Sequence, residues 1–330
     1  MAFEKSVDSH FATNHTVCCA MNDLTKGHNL SLQDGAPPPS ILVLGEVLWD
    51  VFEHSNALGG APLNFAAHAR RLEYNPLLMS AVGADSLGNA AREEIAGLGL
   101  DTSFLQTTSR FPTGTARVEL GPEDRTRFVI ERPAAYDGIC LRDEQIAQIT
   151  HSTPAFFYYG TLFSSTPQGR AVVERLLDAL PAATRFHDLN LRPGNYSVQL
   201  VIEMLELANV VKLNEEELGM VHKFTPLPSE IEAFCREGSK RYGWKAVCVT
   251  LGARGCAMLR GDEYVEAAGR PVEVADPVGA GDAFAAAFLH GLVSEWPVAR
   301  IADFANRIGA LVASRHGAIP AWTMIELVGS

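Results

Sequence analysis

DPVGAGDAFAAAFLHGL, residues 276–292, joins a glycine-rich loop to an apolar helical run and sets a carboxylate at the junction. Gly279 and Gly281 let the backbone take conformations closed to other residues and let a ligand approach the main chain. The apolar run after Asp282 makes the loop the start of a buried helix. Its unpaired N–H groups carry roughly half a positive charge and suit an anion. An anion held over Gly279, Ala280 and Gly281, with Asp282 beside it as base, is an arrangement for phosphoryl transfer to a hydroxyl. The same helix terminus is expected to lower the pKa of Asp282 and leave it a weak base. Taken alone, the loop could equally be a tight turn followed by a first-turn aspartate. The third glycine of G-x-G-x-x-G is missing and no G-x-x-x-x-G-K-[ST] occurs, which excludes a Rossmann dinucleotide loop and a P-loop.

Outward from that loop the chain alternates. ILVLGE (41–46), PLLMSAV (76–82), FFYYG (156–160), RFHDLN (185–190), VVKLN (210–214) and KAVCVT (245–250) read as buried strands, each followed by a helical segment. APLNFAAHARRL (61–72) is helical with Pro62 in its first turn, and a second helix runs from Asp85 as N-cap to Gly97. This spacing predicts an α/β fold with a mostly parallel sheet covered by helices on both faces. One region departs from it. Short β-type runs between Thr102 and Arg132, joined by DVFEHSNALGG (50–60), predict a small antiparallel layer placed as a lid over the strand ends.

The formal charge is −12, from 27 basic and 39 acidic residues, which argues against a nucleic-acid binder. No run of about 18 apolar residues is present to span a membrane. Cys18, Cys19, Cys140, Cys235, Cys248 and Cys256 form no CxxC and read as reduced thiols of a cytoplasmic protein, with Cys248 and Cys256 a buried apolar pair. Residues 1–38 lack periodicity and read as a disordered extension before a domain over 39–330, with Met21 an alternative start.

Four further stretches carry chemistry. In HDLNLRP (187–193), Asp188, Asn190 and Arg192 fall on one face if the strand continues, and Arg192 suits a phosphate. Asp188 and Arg192 could instead be a surface pair. KLNEEEL (212–218) carries Asn214 and Glu217 at capping-box spacing. GEVLWD (45–50) and LGGAPLN (58–64) offer acceptors and bare amides after a strand. His68 and His290 read as ordinary helix residues.

These motifs, with AVGADSLGNAAREEIAGLGLDTSFL (81–105) and TLGARGC (250–256), occur in an order that resembles the PfkB, or ribokinase-like, carbohydrate kinases from Ile41 to Ala321. Within that family, GGAPLNFA, HDLNLRP and VVKLNEEEL most resemble bacterial fructokinases. The resemblance implies ATP-dependent phosphorylation of a sugar primary hydroxyl, fructose to fructose 6-phosphate. 2-Keto-3-deoxygluconate, ribose and nucleoside kinases are the alternatives within the family; a non-catalytic sugar-binding regulator is the alternative outside it. It implies that Asp50, Gly59, Gly60 and Asn64 hold sugar hydroxyls, that Arg132 is a lid arginine touching the sugar, and that Arg192 lies near the transferred group. Lys212, Asn214, Glu217, Thr250, Gly252, Gly255 and Asn306 would serve the nucleotide, with Asn214 and Glu217 organising Mg2+ through water. Asp276 and the backbone of Val278 would sit at a monovalent cation such as K+, and the lid would pair two copies into a homodimer.

Removal of residues 1–38 is expected to leave turnover and melting temperature unchanged. A truncated chain that fails to fold would make the extension part of the structure.

Overall fold

The apolar runs become strands in the computed structural model, which describes residues 39–120 and 126–328. The expected extension over 1–38 lies outside the described residues. In chain order the strands are β1 (Ser40–Leu44), β2 (Leu48–Val51), β3 (Asn56–Gly59), β4 (Asn75–Gly83), β5 (Leu105–Thr108), β6 (Gly114–Leu120) and β7 (Thr126–Ile130). They continue with β8 (Phe156–Gly160), β9 (Thr184–Asp188), β10 (Val210–Asn214), β11 (Ala246–Thr250), β12 (Gly255–Arg260) and β13 (Glu263–Ala268). The helices are α1 (Ala61–Arg71), α2 (Ser86–Gly97), α3 (Asp143–His151), α4 (Thr161–Ser164), α5 (Pro167–Ala179) and α6 (Val198–Leu207). After them come α7 (Glu215–Phe224), α8 (Ile231–Tyr242), α9 (Ala280–Val293), α10 (Val298–Ala313) and α11 (Met324–Val328).

A nine-stranded sheet runs β13-β12-β11-β10-β9-β8-β1-β4-β5. Pairs from β11 to β5 are parallel, and β12 and β13 extend the sheet antiparallel. Successive side chains of a strand point to opposite faces, so Ile41 and Val43 enter one apolar cluster while Leu42 and Leu44 enter the other. Both faces are therefore buried, as the unbroken apolar strands require. Helix α9 lies in the first cluster with Ala283 to Gly291 all buried, which explains a sequence apolar on every side. Helix α2 is capped as predicted, Asp85 accepting from the Gly88 N–H at 2.7 Å. The same carboxylate accepts from the N–H and hydroxyl of Thr113, fixing where the chain enters β6.

A second sheet, β3-β2-β6-β7, stands apart from the first. Its β2–β3 and β6–β7 pairs are antiparallel as expected, but β2 and β6 pair in parallel. The chain makes α1, β4, α2 and β5 between them, and a parallel pair needs such a crossover. The expected lid bounds also change. Leu105–Thr108 pairs with β4 in the large sheet, and the small sheet begins already at Leu48. Strand β11 is followed by an antiparallel neighbour rather than a helix, because a short turn over 252–254 returns the chain at once. Cys248 and Cys256 are buried on that pair of strands as free thiols.

Asp188 and Lys212 are register partners across β9 and β10, and both are buried. The Lys212 ammonium lies 3.0 Å from each oxygen of Asp188, and the Tyr158 hydroxyl donates to the same carboxylate at 3.1 Å. Asn190 then takes a φ of 41°, which ends the strand alternation. Asp188 is buried against Lys212 and Arg192 is exposed, so the two do not form a surface pair. Replacing Lys212 by Met should strand a buried carboxylate and cost roughly 3–5 kcal/mol in denaturant unfolding. Adding Asp188→Asn should restore more than half of the loss, since the charge is gone and Tyr158 keeps an acceptor. Equal instability of the single and double variants would show that the ion pair is not what matters there.

Candidate active site

The carboxyl ends of the parallel strands and the start of α9 meet at one place. Gly279 is the N-cap of α9 with a φ of 80°, and a Cβ there would sit 2.2 Å from the Ala318 carbonyl oxygen. Only glycine fits. That carbonyl in turn accepts from His68 Nε2 at 3.1 Å, while His68 Nδ1 accepts from the Trp322 indole at 3.0 Å. Burial pushes the His68 pKa down to about 4, so the ring is the neutral Nε2–H tautomer that this pair of bonds demands. Asp276 accepts from the Val278 N–H and the Gly317 N–H, each at 3.0 Å. The loop is thus braced from behind by residues 317–322. Of the three amides expected to face an anion, that of Ala280 leans toward the Pro277 carbonyl at 3.3 Å.

Asp282 sits in the first turn of α9, and the Asn64 side chain donates to its Oδ2 at 2.8 Å. Asn64 therefore positions the carboxylate as well as facing the cavity. The expected lowering of the Asp282 pKa is reversed. Burial and then the Asp188 carboxylate raise it to about 6, against the Asn64 hydrogen bond, Lys212 and Arg192. Desolvation outweighs the helix terminus because it acts on the whole charge, whereas the dipole supplies a fraction of one. A base tuned toward neutral pH is stronger than a solvent-exposed aspartate.

In front of Asp282 opens a cavity of about 250 Å³ whose wall includes Asp50, Gly60, Asn64, Arg192, Gly279 and Gly281. Leu48 of β2, Ala116 of β6 and Ile130 of β7 face it, so the small sheet forms part of its enclosure. Burial raises the Asp50 pKa to about 6, against the pull of Arg192. Gly60 takes a φ of 112°, and a Cβ would lie 2.4 Å from the Glu46 carbonyl oxygen. Gly59 ends β3 beside Asp50.

Other expected site residues are placed elsewhere. Arg132 is ion-paired with Asp137, donates to the Leu162 carbonyl at 3.2 Å, and is not part of the cavity wall. Lys212 is buried behind Gly281, its ammonium 3.8 Å from where a Cβ of that residue would be. Asn214 and Glu217 form the capping box of α7, Glu217 accepting from the Asn214 N–H at 2.8 Å and the Leu191 N–H at 2.6 Å. Thr250 ends β11, and Gly252 and Gly255 flank the turn into β12. The Asn306 amide is bonded to the carbonyls of Ala267 and Ala268, tying α10 to the end of β13. Sequence reading missed Glu46 in the cavity wall, the Asp188–Lys212 pair behind the loop and the bracing His68. GEVLWD held Glu46 in view, but nothing in a sequence shows which way a buried acid points.

A profile of the pfkB family carbohydrate kinases matches residues 36–324, and the chain belongs to that family of sugar phosphotransferases. It is 28% identical to the fructokinase of Escherichia coli over 300 residues, covering 85% of this chain and 95% of that protein. The fold superimposes on a fructokinase of Xylella fastidiosa solved with bound ATP at a TM-score of 0.76 and 24% identity, covering 88% of this chain and 96% of that one. It matches the 2-dehydro-3-deoxygluconokinase of Thermotoga maritima at 0.77 and 19%, covering 88% and 98%.

If Asp282 takes the hydroxyl proton, kcat/KM should fall as the pH drops through about 6, where the carboxylate becomes protonated. The acid limb should persist in Asp50→Asn, although Asp50 titrates near the same pH. Asp282→Asn should lower kcat by about 10²–10⁴-fold with nucleotide and sugar binding nearly intact. A variant keeping more than about a tenth of wild-type kcat would remove Asp282 from the chemistry.

Proposed function

We propose that the protein is an ATP-dependent fructokinase that transfers the γ-phosphoryl group to a primary hydroxyl of fructose. The observation that carries this reading is the placement of Asp282. It is oriented by Asn64 at 2.8 Å, raised toward neutral pH, and opens on the cavity beside the Gly279–Gly281 loop. The hydroxyl would lie between Asp282 and the γ-phosphorus, with the developing charge facing the start of α9. Bond making and breaking are loose in such a transfer, so positioning and charge neutralisation supply most of the acceleration. The buried Lys212 beneath Gly281, ion-paired with Asp188, offsets carboxylate charge at that end of the sheet.

Among the described residues no group of three or more His, Cys, Asp or Glu side chains could cage a metal. Mg2+ usually keeps several waters and is held by nucleotide phosphates with one or two carboxylates. Asn214 and Glu217 would hold that water shell, since each Glu217 oxygen has acceptor capacity left beyond its one backbone N–H. The ion would neutralise phosphate charge.

A neutral sugar is favoured over a sugar acid because Arg132, one of the two arginines that could supply charge for a substrate carboxylate, is committed to Asp137. Arg192, exposed and in the cavity wall, keeps 2-keto-3-deoxygluconate as the second reading. A coupled assay of ADP release across fructose, glucose, ribose, 2-keto-3-deoxygluconate and adenosine should give fructose the highest kcat/KM. The fructose KM should be nearly flat with salt, as screening leaves a neutral ligand unaffected. Preference for the keto acid, with a KM that rises steeply with salt, would overturn the fructose assignment and leave the kinase standing.

A further inference from the structure

Gly279 holds a φ of 80°, a conformation that glycine leaves as easily as it enters, so the loop needs a restraint from outside its own backbone. The neighbour packed against it is Ala318, whose main chain is what a Cβ at Gly279 would meet first. Residues 315–323 are neither helix nor strand, and side chains from elsewhere tie them down. Helix α1 supplies two of these. His68 Nε2 donates to the Ala318 carbonyl at 3.1 Å, and Arg71 donates to the Ile319 carbonyl at 3.2 Å. Arg71 also lies 3.3 Å from His68 Nδ1, so that nitrogen accepts from Arg71 as well as from the Trp322 indole. Asn64, His68 and Arg71 are spaced i, i+4 and i+7, which puts all three on one face of α1. One turn before His68, that face orients the base, through the Asn64 hydrogen bond to Asp282.

We propose that His68 is a positioning residue for phosphoryl transfer, holding Ala318 against Gly279 and so fixing the amides of the Gly279–Gly281 loop relative to the Asp282 carboxylate. The proposal rests on the sugar-kinase reading above and concerns how that same site is aligned. One face of α1 then sets both partners, Asn64 the base and His68 the loop, and a single helical turn separates the two. His68 is fully buried and is not part of the cavity wall, so it acts through the Ala318 peptide and not on the substrate. Both ring nitrogens are bonded, and burial keeps the ring neutral. The other neutral tautomer would present a hydrogen to the Trp322 and Arg71 donors and leave nothing to donate to Ala318. A misplacement of about 1 Å at a reacting centre costs on the order of 10²-fold in rate, so a loosened loop is read in kcat.

The experiment compares wild type with His68→Gln, His68→Asn and His68→Leu. The Gln amide can place an N–H where Nε2 lies, whereas Asn keeps an oxygen near the Nδ1 position and is too short to reach Ala318. Steady-state kinetics with fructose and ATP are read beside calorimetric Kd values for fructose and ADP. His68→Asn and His68→Leu should lower kcat by about 10- to 100-fold. The two Kd values should stay within about twofold, since His68 is not in the cavity wall. His68→Gln should recover kcat to within about fivefold of wild type, because it restores the one bond to Ala318. In wild type at neutral pH, nitrogen-15 NMR should show the ring whose signals vanish in the variants as the neutral Nε2–H tautomer, a reading that holds even if the variants fold poorly. A residue that merely fills the core would cost His68→Gln as much as His68→Asn and would weaken fructose binding in step with kcat. That pattern, an Nδ1–H tautomer in wild type, or His68→Leu keeping more than about a third of wild-type kcat overturns the proposal. Wild type that phosphorylates another sugar sinks the fructose assignment alone, and the same kcat ratios on that sugar decide His68. Wild type that phosphorylates no sugar sinks the kinase reading and the role of His68 together.

Discussion

The ion pair of Lys212 with Asp188 sets the terms for everything at the carboxyl edge of the large sheet. Parallel strands end together, and at that edge the chain gathers Glu217 and Asp282 each within electrostatic reach of Asp188. Carboxylates crowded in a low-dielectric space repel and take up protons unless a cation is buried with them. Lys212 is that cation, held charged by Asp188 and Asp282 despite its own burial. It meets Asp188 head on because the register of β9 and β10 places the two opposite each other.

The balance left at Asp282 follows from that pair. Asp188 pushes its pKa up, Lys212 and Arg192 pull it down, and burial decides the sign. Asn64 fixes its direction from α1, an element that packs against α9. The loop before it is held by the irregular segment at Gly317 and Ala318, which is tied in turn to α1 through His68. Helix α1, helix α9 and the C-terminal segment therefore form one brace around the Gly279–Gly281 loop. A residue of α1 that looks like routine helix filling, His68, carries the bond between them.

Stability and recognition pull in opposite directions in the cavity. One side-chain oxygen each of Glu46 and Asn64 is buried without a protein hydrogen-bond partner, which costs free energy unless a donor is supplied. The small sheet contributes Leu48, Ala116 and Ile130 to the enclosure, apolar surface that strengthens polar contacts by excluding water.

The strand and helix pattern, the Asp85 cap, the Pro62 start of α1 and the α9 loop were all legible in the sequence, because each is a local preference repeated at a fixed period. So were the capping box at Asn214 and Glu217, and the family. What failed was non-local. The parallel pairing of β2 with β6 depends on the path of the intervening chain. The membership of Leu105–Thr108 in the large sheet depends on which edge is open. The rise in the Asp282 pKa, the burial of Asp188 against Lys212 and the commitment of Arg132 to Asp137 each depend on which groups the fold brings within a few ångströms. Which segments bury, and where a bare-backbone turn meets a carboxylate, follows from local pattern along the chain. Which charges face one another follows from the fold, since desolvation and Coulomb energy are functions of distance through space and not of separation along the chain.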